Sequence, residues 1–124
     1  MEGMFLPVLS HFQNENIWIA SDGKLRYQVT PTTVAGEDGA EEQVLTAEIW
    51  EGPWSREFSV IESVEQFPMS GGGIEKLRAW LGLKSGEINA RPDKSLEENM
   101  ARREAAVQAR KAAEAAKQAE GEKS

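Results

Sequence analysis

Cysteine is absent from the chain, and histidine occurs once, at His11. The first absence excludes disulfides, zinc–thiolate and iron–sulfur sites and any thiol nucleophile. The second leaves no triad or metal cluster built on several imidazoles; His11 could act only beside a carboxylate. No apolar run approaches the ~20 residues needed to span a bilayer. The N-terminus, Met1 to Leu9, is apolar but lacks the basic stretch and long core of a secretory signal. It reads as a tucked segment or a short strand, and the expected location is the cytoplasm. Aromatic residues are scarce at 7%, and none lies beyond Ser85.

Acid is plentiful. The 124 residues carry 21 Asp and Glu against 14 Lys and Arg, a formal charge of −7. Residues 1–90 hold 14 of the acids and only 6 of the bases, whereas residues 91–124 are nearly balanced, with 7 acids and 8 bases. A front-loaded negative field repels phosphates and anionic lipids and suits a basic protein partner. Direct nucleic-acid and membrane binding are therefore not expected. From Ala101 to Ala119, nine of 19 residues are alanine. The organisation read from these shifts is an acidic domain over 1–83, a linker over 84–95, a helical tail over 96–119 and a disordered end over 120–124.

The front domain reads as α+β: a small antiparallel sheet of about four strands packed against one short helix. Asp22-Gly23 between Ile17–Ala20 and Lys24–Val29 signals a tight hairpin. With those two residues as the turn, Ala20 faces Leu25 and Trp18 faces Tyr27. Trp18, Ala20, Leu25, Tyr27 and Val29 then share the core face. Ile17 and Ile19 fall on the other side and need a second cover. Thr30-Pro31 is expected to end that strand, because proline offers no ladder donor. Residues 31–43 read as a mobile acidic connection. A second hairpin is expected over Val44–Trp50 and Arg56–Ile61, with Leu45, Ala47 and Ile49 opposite Phe58 and Val60. Ile74, Leu77, Trp80 and Leu81 give a helix of about nine residues, capped by Ser70 and ended by Gly82. In the tail, Ser95 and Glu98 have capping-box spacing, and Glu98 and Arg102 are four apart in the favourable order. The apolar stripe there is thin: Leu96, Met100 and Val107. A lone helix is the first expectation, with self-association through residues 96–119 or docking onto the sheet as alternatives.

No residue is assigned a catalytic, cofactor-binding or metal-binding role. Glu48 and Glu57 share a solvent face if the second hairpin forms as read, and are taken as solubilising charges rather than a catalytic pair. Glu37, Asp38, Glu41 and Glu42 do not match a calcium loop. Gly71-Gly72-Gly73 before a helix could seat an anion, but no Gly-Lys-Ser/Thr follows, and a flexible cap explains them. The candidate protein-interaction residues are Trp50, Glu51, Pro53 and Trp54, with Glu48 and Glu57 beside them. Two tryptophans flank a tight proline loop, which is rigid hot-spot material; they serve equally as local core.

Leu45 to Trp54, Phe67-Pro68 and Ile74 to Leu81 together resemble small uncharacterised accessory proteins carried by conjugative elements and prophages of gut Firmicutes. The resemblance spans roughly residues 15–82, implies a mobile-element origin and transfers no catalytic residue. The expected function is a non-catalytic protein-interaction module. An acidic inhibitor imitating nucleic-acid charge, and a small hydrolase using His11 and a carboxylate, are the alternatives.

Overall fold

Four antiparallel strands in sequential order make one sheet: β1 (Trp18–Asp22), β2 (Leu25–Ala35), β3 (Glu41–Glu51) and β4 (Ser63–Pro68). A short helix, α1 (Leu9–Gln13), precedes the sheet, and two longer ones, α2 (Gly71–Asn89) and α3 (Leu96–Glu122), follow it. The computed structural model describes residues 6–122, with side chains as far as Lys117. The fold is the α+β class read from the sequence, with a four-stranded antiparallel sheet against helices. Of the expected N-terminal strand or tucked segment, residues 1–5 lie outside the described part; Leu6 is buried, and α1 follows it.

Period-two alternation decides the core face. Leu25, Tyr27 and Val29 of β2, Leu45, Ala47 and Ile49 of β3 and Phe67 of β4 point to one side and are buried. Against them α2 lays Ile74, Leu77, Leu81 and Ile88 at helical spacing, while Phe12 of α1 closes one end. Each such side chain contributes about 1.5–3 kcal/mol on burial. Trp18 and Ala20 pack partly buried against this cluster, on the face expected of them.

The first turn is displaced from the expected position. Asp22 pairs with Leu25, so Gly23 and Lys24 make the turn, Ala20 faces Tyr27 and Trp18 faces Val29. The shift is by two residues, so every side chain keeps its face. Gly23 has φ of +62°, which suits glycine at the first turn position. Pro31 does not end β2; it lies inside it, opposite Leu45. The Gly52 N–H donates to the Lys24 carbonyl at 2.7 Å, which sets the ladder phase so that odd-numbered β2 residues turn their N–H away from β3. β1 has already stopped at Trp18↔Val29 on that side, so the missing N–H of Pro31 breaks no bond. The expected mobile connection shrinks accordingly: residues 31–35 and 41–43 are paired strand, leaving 36–40 as the turn.

The second hairpin also departs from expectation. Residues 56–58 form a 3-10 turn, and the partner of β3 is residues 63–68, with Leu45↔Phe67 and Ile49↔Ser63. Phe58 and Val60 alternate like a strand, yet Phe58 turns towards Arg103 of α3 and Val60 is exposed. β4 is an edge strand with one buried side chain, Phe67, so it carries little hydrophobic signal. The helix α2 has the expected cap, Ser70 Oγ accepting from the Gly73 N–H at 3.0 Å. It does not end at Gly82; it runs to Asn89, through part of the expected linker. Among the three glycines, only Gly73 is demanded by space, since a Cβ there would lie 1.8 Å from the Pro68 carbonyl oxygen.

Candidate interaction site

Asn89, the last residue of α2, clamps the first hairpin. Its Oδ1 accepts from the Lys24 N–H at 2.7 Å, and its Nδ2 donates to the Asp22 carbonyl at 3.0 Å and the Ser85 carbonyl at 2.9 Å. The side-chain amide thus satisfies the backbone on either side of Gly23. Ser85 Oγ donates to the Asp22 carboxylate alongside. The connection out of α2 is pinned to the same corner. Glu51, 5% exposed, is held by Arg91 at 2.9 Å on one oxygen and by Lys94 at 2.7 Å on the other. Arg91 also holds Glu62 at 2.8 Å, and Lys24 holds Asp93 at 2.8 Å. Burial pushes the Glu51 carboxyl up, but hydrogen bonds from Lys94 and Arg91 outweigh it and hold it below the ordinary carboxylate value.

The two tryptophans of the candidate loop have different fates. Trp50 projects from the face of the sheet opposite α2, yet it is 2% exposed, because residues 53–57 fold back over it; its Nε1 donates to the Trp54 carbonyl at 2.9 Å. Trp54 is half-buried against α3, its Nε1 donating to the Asn99 carbonyl at 2.7 Å and its ring lying 5.3 Å from the Arg103 guanidinium carbon. The helical tail therefore docks back onto the body instead of standing alone. The docked stripe is Asn99, Arg102, Arg103, Ala106, Val107 and Arg110, while Leu96 and Met100 are 70% and 52% exposed. Ser95 caps α3 as expected, its Oγ accepting from the Glu98 N–H at 3.1 Å. Arg102 does not close the expected pair with Glu98; it reaches Asn99 and the carbonyls of residues 51 and 52.

Pro53 and Glu57 remain exposed. Glu48 and Glu57 are not on adjacent strands: Glu48 forms a two-pronged bond with Arg56, at 3.0 and 2.7 Å, and Glu57 accepts from Ser55 Oγ at 3.3 Å in the 3-10 turn. Of the six candidate residues, Trp50, Pro53, Trp54 and Glu57 gather at one groove, whereas Glu48 and Glu51 are held in ion pairs.

The groove itself was not foreseen. It lies on the sheet face that α2 does not cover, between β1 and residues 53–57, with a volume near 590 Å³. Ile19, Ser21, Arg26, Gln28 and Trp50 line it from the sheet. Among the described residues nothing supplies the second cover expected over Ile17 and Ile19; both are exposed, Ile19 at 64%. Across the sheet from Ile19 runs the row Gln28, Glu48 and Val64, and Val64 is exposed too. The neighbouring row, Thr30, Thr46 and Gln66, belongs to an uncharged hydrogen-bonded lattice that reaches the rows on either side: Gln28 to Thr30, Thr46 to Thr32 at 2.9 Å, and Gln66 to Thr46. The alternation of Ile17 and Ile19 against the core face was the one signal in the sequence for this surface.

His11 sits edge-on to Phe12 and Trp18, at 5.2 and 5.9 Å between ring centroids, and its Nε2 lies 3.2 Å from the Ile17 carbonyl. Among the described residues, His11 thus meets two rings and one backbone carbonyl. Among the described residues, no group of three or more His, Cys, Asp or Glu is placed to hold a metal ion, and no helix is long and apolar enough to cross a membrane. No family model, curated protein or solved structure matches the chain, so the site rests on its own geometry.

Proposed function

We propose that the protein is a non-catalytic protein-interaction module whose working surface is the groove on the uncovered sheet face. The observation that carries this reading is the exposure of Ile19 beside a groove floored by Trp50 and walled by residues 53–57. Aliphatic residues left in water next to a rigid aromatic are what a partner side chain can bury, and the threonine–glutamine lattice offers it uncharged hydrogen bonds. The partner is a protein segment that places an apolar side chain between Ile19 and Pro53. The nucleic-acid mimic has less support, because Glu48, Glu51 and Glu62 are each neutralised by Arg or Lys and so lose the unpaired charge that mimicry needs.

The test is recovery of the tagged full chain from its own cell, with and without Ile19→Asp. The substitution is on the surface and should leave the melting temperature within about 2 °C. The main partner captured by the unsubstituted protein should be lost. Its undiminished recovery with Ile19→Asp would sink the reading.

A further inference from the structure

The segment 51–59 offers its backbone carbonyls to one helix. Arg102 donates from Nη1 to the Gly52 carbonyl at 2.9 Å and from Nη2 to the Glu51 carbonyl at 3.0 Å. Arg110 Nη2 donates to the Arg56 carbonyl at 2.6 Å and, more weakly, to the Ser59 carbonyl at 3.4 Å. Between them the Arg103 guanidinium lies over the Phe58 ring at 4.5 Å with Trp54 on its flank. Four carbonyls and two aromatic faces thus converge on three arginines, two adjacent and one two helical turns further on.

Little else holds the helix there. Ala106 is the one side chain of α3 that is fully covered among those described, and the larger Leu96 and Met100 face water. Hydrogen bonds and cation–π contacts at a wet surface are individually weak. What keeps α3 seated is proximity: Arg91 and Lys94, just before it, are fixed to Glu51, so the helix is presented to its seat at high effective concentration. An interface made of arginine recognition and tethering, without a shared apolar core, is one that an equivalent helix can occupy from outside.

We infer that segment 51–59 is a binding surface for an arginine-bearing helix, that α3 fills it within the same chain, and that a partner helix with the same arginine spacing takes the seat when α3 is displaced. The segment is shared with the groove beside Ile19, but this surface lies on the α3 side of Trp54 and the groove on the other, and Ile19 takes no part in it, so either idea can fail alone.

The Trp54 indole N–H reports the seat directly, because it bonds to α3. The experiment follows that indole resonance, identified by its loss in Trp54→Phe, in the ¹⁵N-labelled full chain. In the double variant Arg103→Glu, Arg110→Glu, the resonance should move away from its original position as α3 is released. A synthetic peptide of residues 95–117, added to millimolar concentration, should return it towards that position, and the same peptide should leave the unsubstituted chain unchanged. A double-variant resonance that never moves would show that the arginines do not seat the helix. A moved resonance that the peptide fails to return would show that the seat is not transferable. Either result overturns the inference. Should the double variant lose the dispersed amide spectrum of the folded sheet, Arg103→Ala alone is read by the same two criteria.

Discussion

Glu51 shows how one residue can link three parts of the chain. It ends β3, it is nearly covered, and both of its oxygens are taken by cations from the segment between α2 and α3. Removing its charge strands Arg91 and Lys94, although both can still reach water; Glu51→Gln should cost about 1–3 kcal/mol at pH 7. The pH dependence has a definite sign. The folded-state value lies below the ordinary 4.5, so the contribution is complete above that value and is lost as pH falls through the folded one. Urea midpoints of the two proteins should differ at pH 7 and converge as pH falls from 4.5 through the lowered folded-state value. Asn89 is the second such residue. Its amide serves the Asp22 carbonyl and the Lys24 N–H together, so Asn89→Ala leaves two turn groups to water and should cost about 1–2 kcal/mol, with faster hydrogen exchange at the Lys24 amide. Neither role was legible in the sequence. Glu51 read as a loop-tip acid and Asn89 as part of a linker, because the partners of each lie about 40 or more residues away.

The helix α2 is where local signals and tertiary packing part company. Ser70 and the Ile74–Leu77–Leu81 spacing marked its start and its buried face. Gly82 marked a false end, since a helix stops at glycine only if nothing beyond it repays continuing, and here Ser85, Ile88 and Asn89 find partners on the sheet. Gly82 and Gly86 are exposed with open space around a would-be Cβ, so Gly82→Ala and Gly86→Ala should each stabilise by about 0.5–1 kcal/mol. Gly73→Ala should do the reverse, costing about 2 kcal/mol or more, because its Cβ collides with the Pro68 carbonyl. Thermal unfolding of the three variants separates the outcomes by sign. In α3 the large apolar residues of the expected stripe divide: Leu96 and Met100 stand in water, and Val107 alone joins the contact. The contact stripe is polar, carried by Arg102, Arg103 and Arg110, and a polar stripe cannot be told from a solvated face until its acceptors are known.

At the scale of the whole molecule, stability is layered. The shared core of β2, β3 and α2 is dry, the corner around Glu51 and Asn89 is ionic and hydrogen-bonded, and the outer part of α3 stands in solvent, with residues 111–117 all exposed. Hydrogen exchange should follow that order: slowest at Tyr27, Val29, Ala47 and Ile49, intermediate over 96–107, and fastest at 111–117. Uniform protection along α3 would contradict the layering. The open sheet face and the segment under α3 flank Trp54 from two sides, which places both candidate surfaces on the one segment, 51–59, that belongs to no strand or long helix for most of its length.

Composition and periodicity, acting over a few residues, determined the α+β class, the inner face of the first two strands, the caps at Ser70 and Ser95, and the absence of thiol chemistry. Those features depend on alternation, helical spacing and cap chemistry, which are local and therefore written in order along the chain. The tertiary structure alone decided that residues 63–68 and not 56–61 complete the sheet, that Pro31 is tolerated where β1 has run out, that Trp50 is covered while Ile19 is bare, and that three arginines fasten α3 to a loop. Each of these is a competition between distant groups for the same backbone donors, carbonyls and apolar surface, and its outcome is fixed only when the chain brings the competitors together.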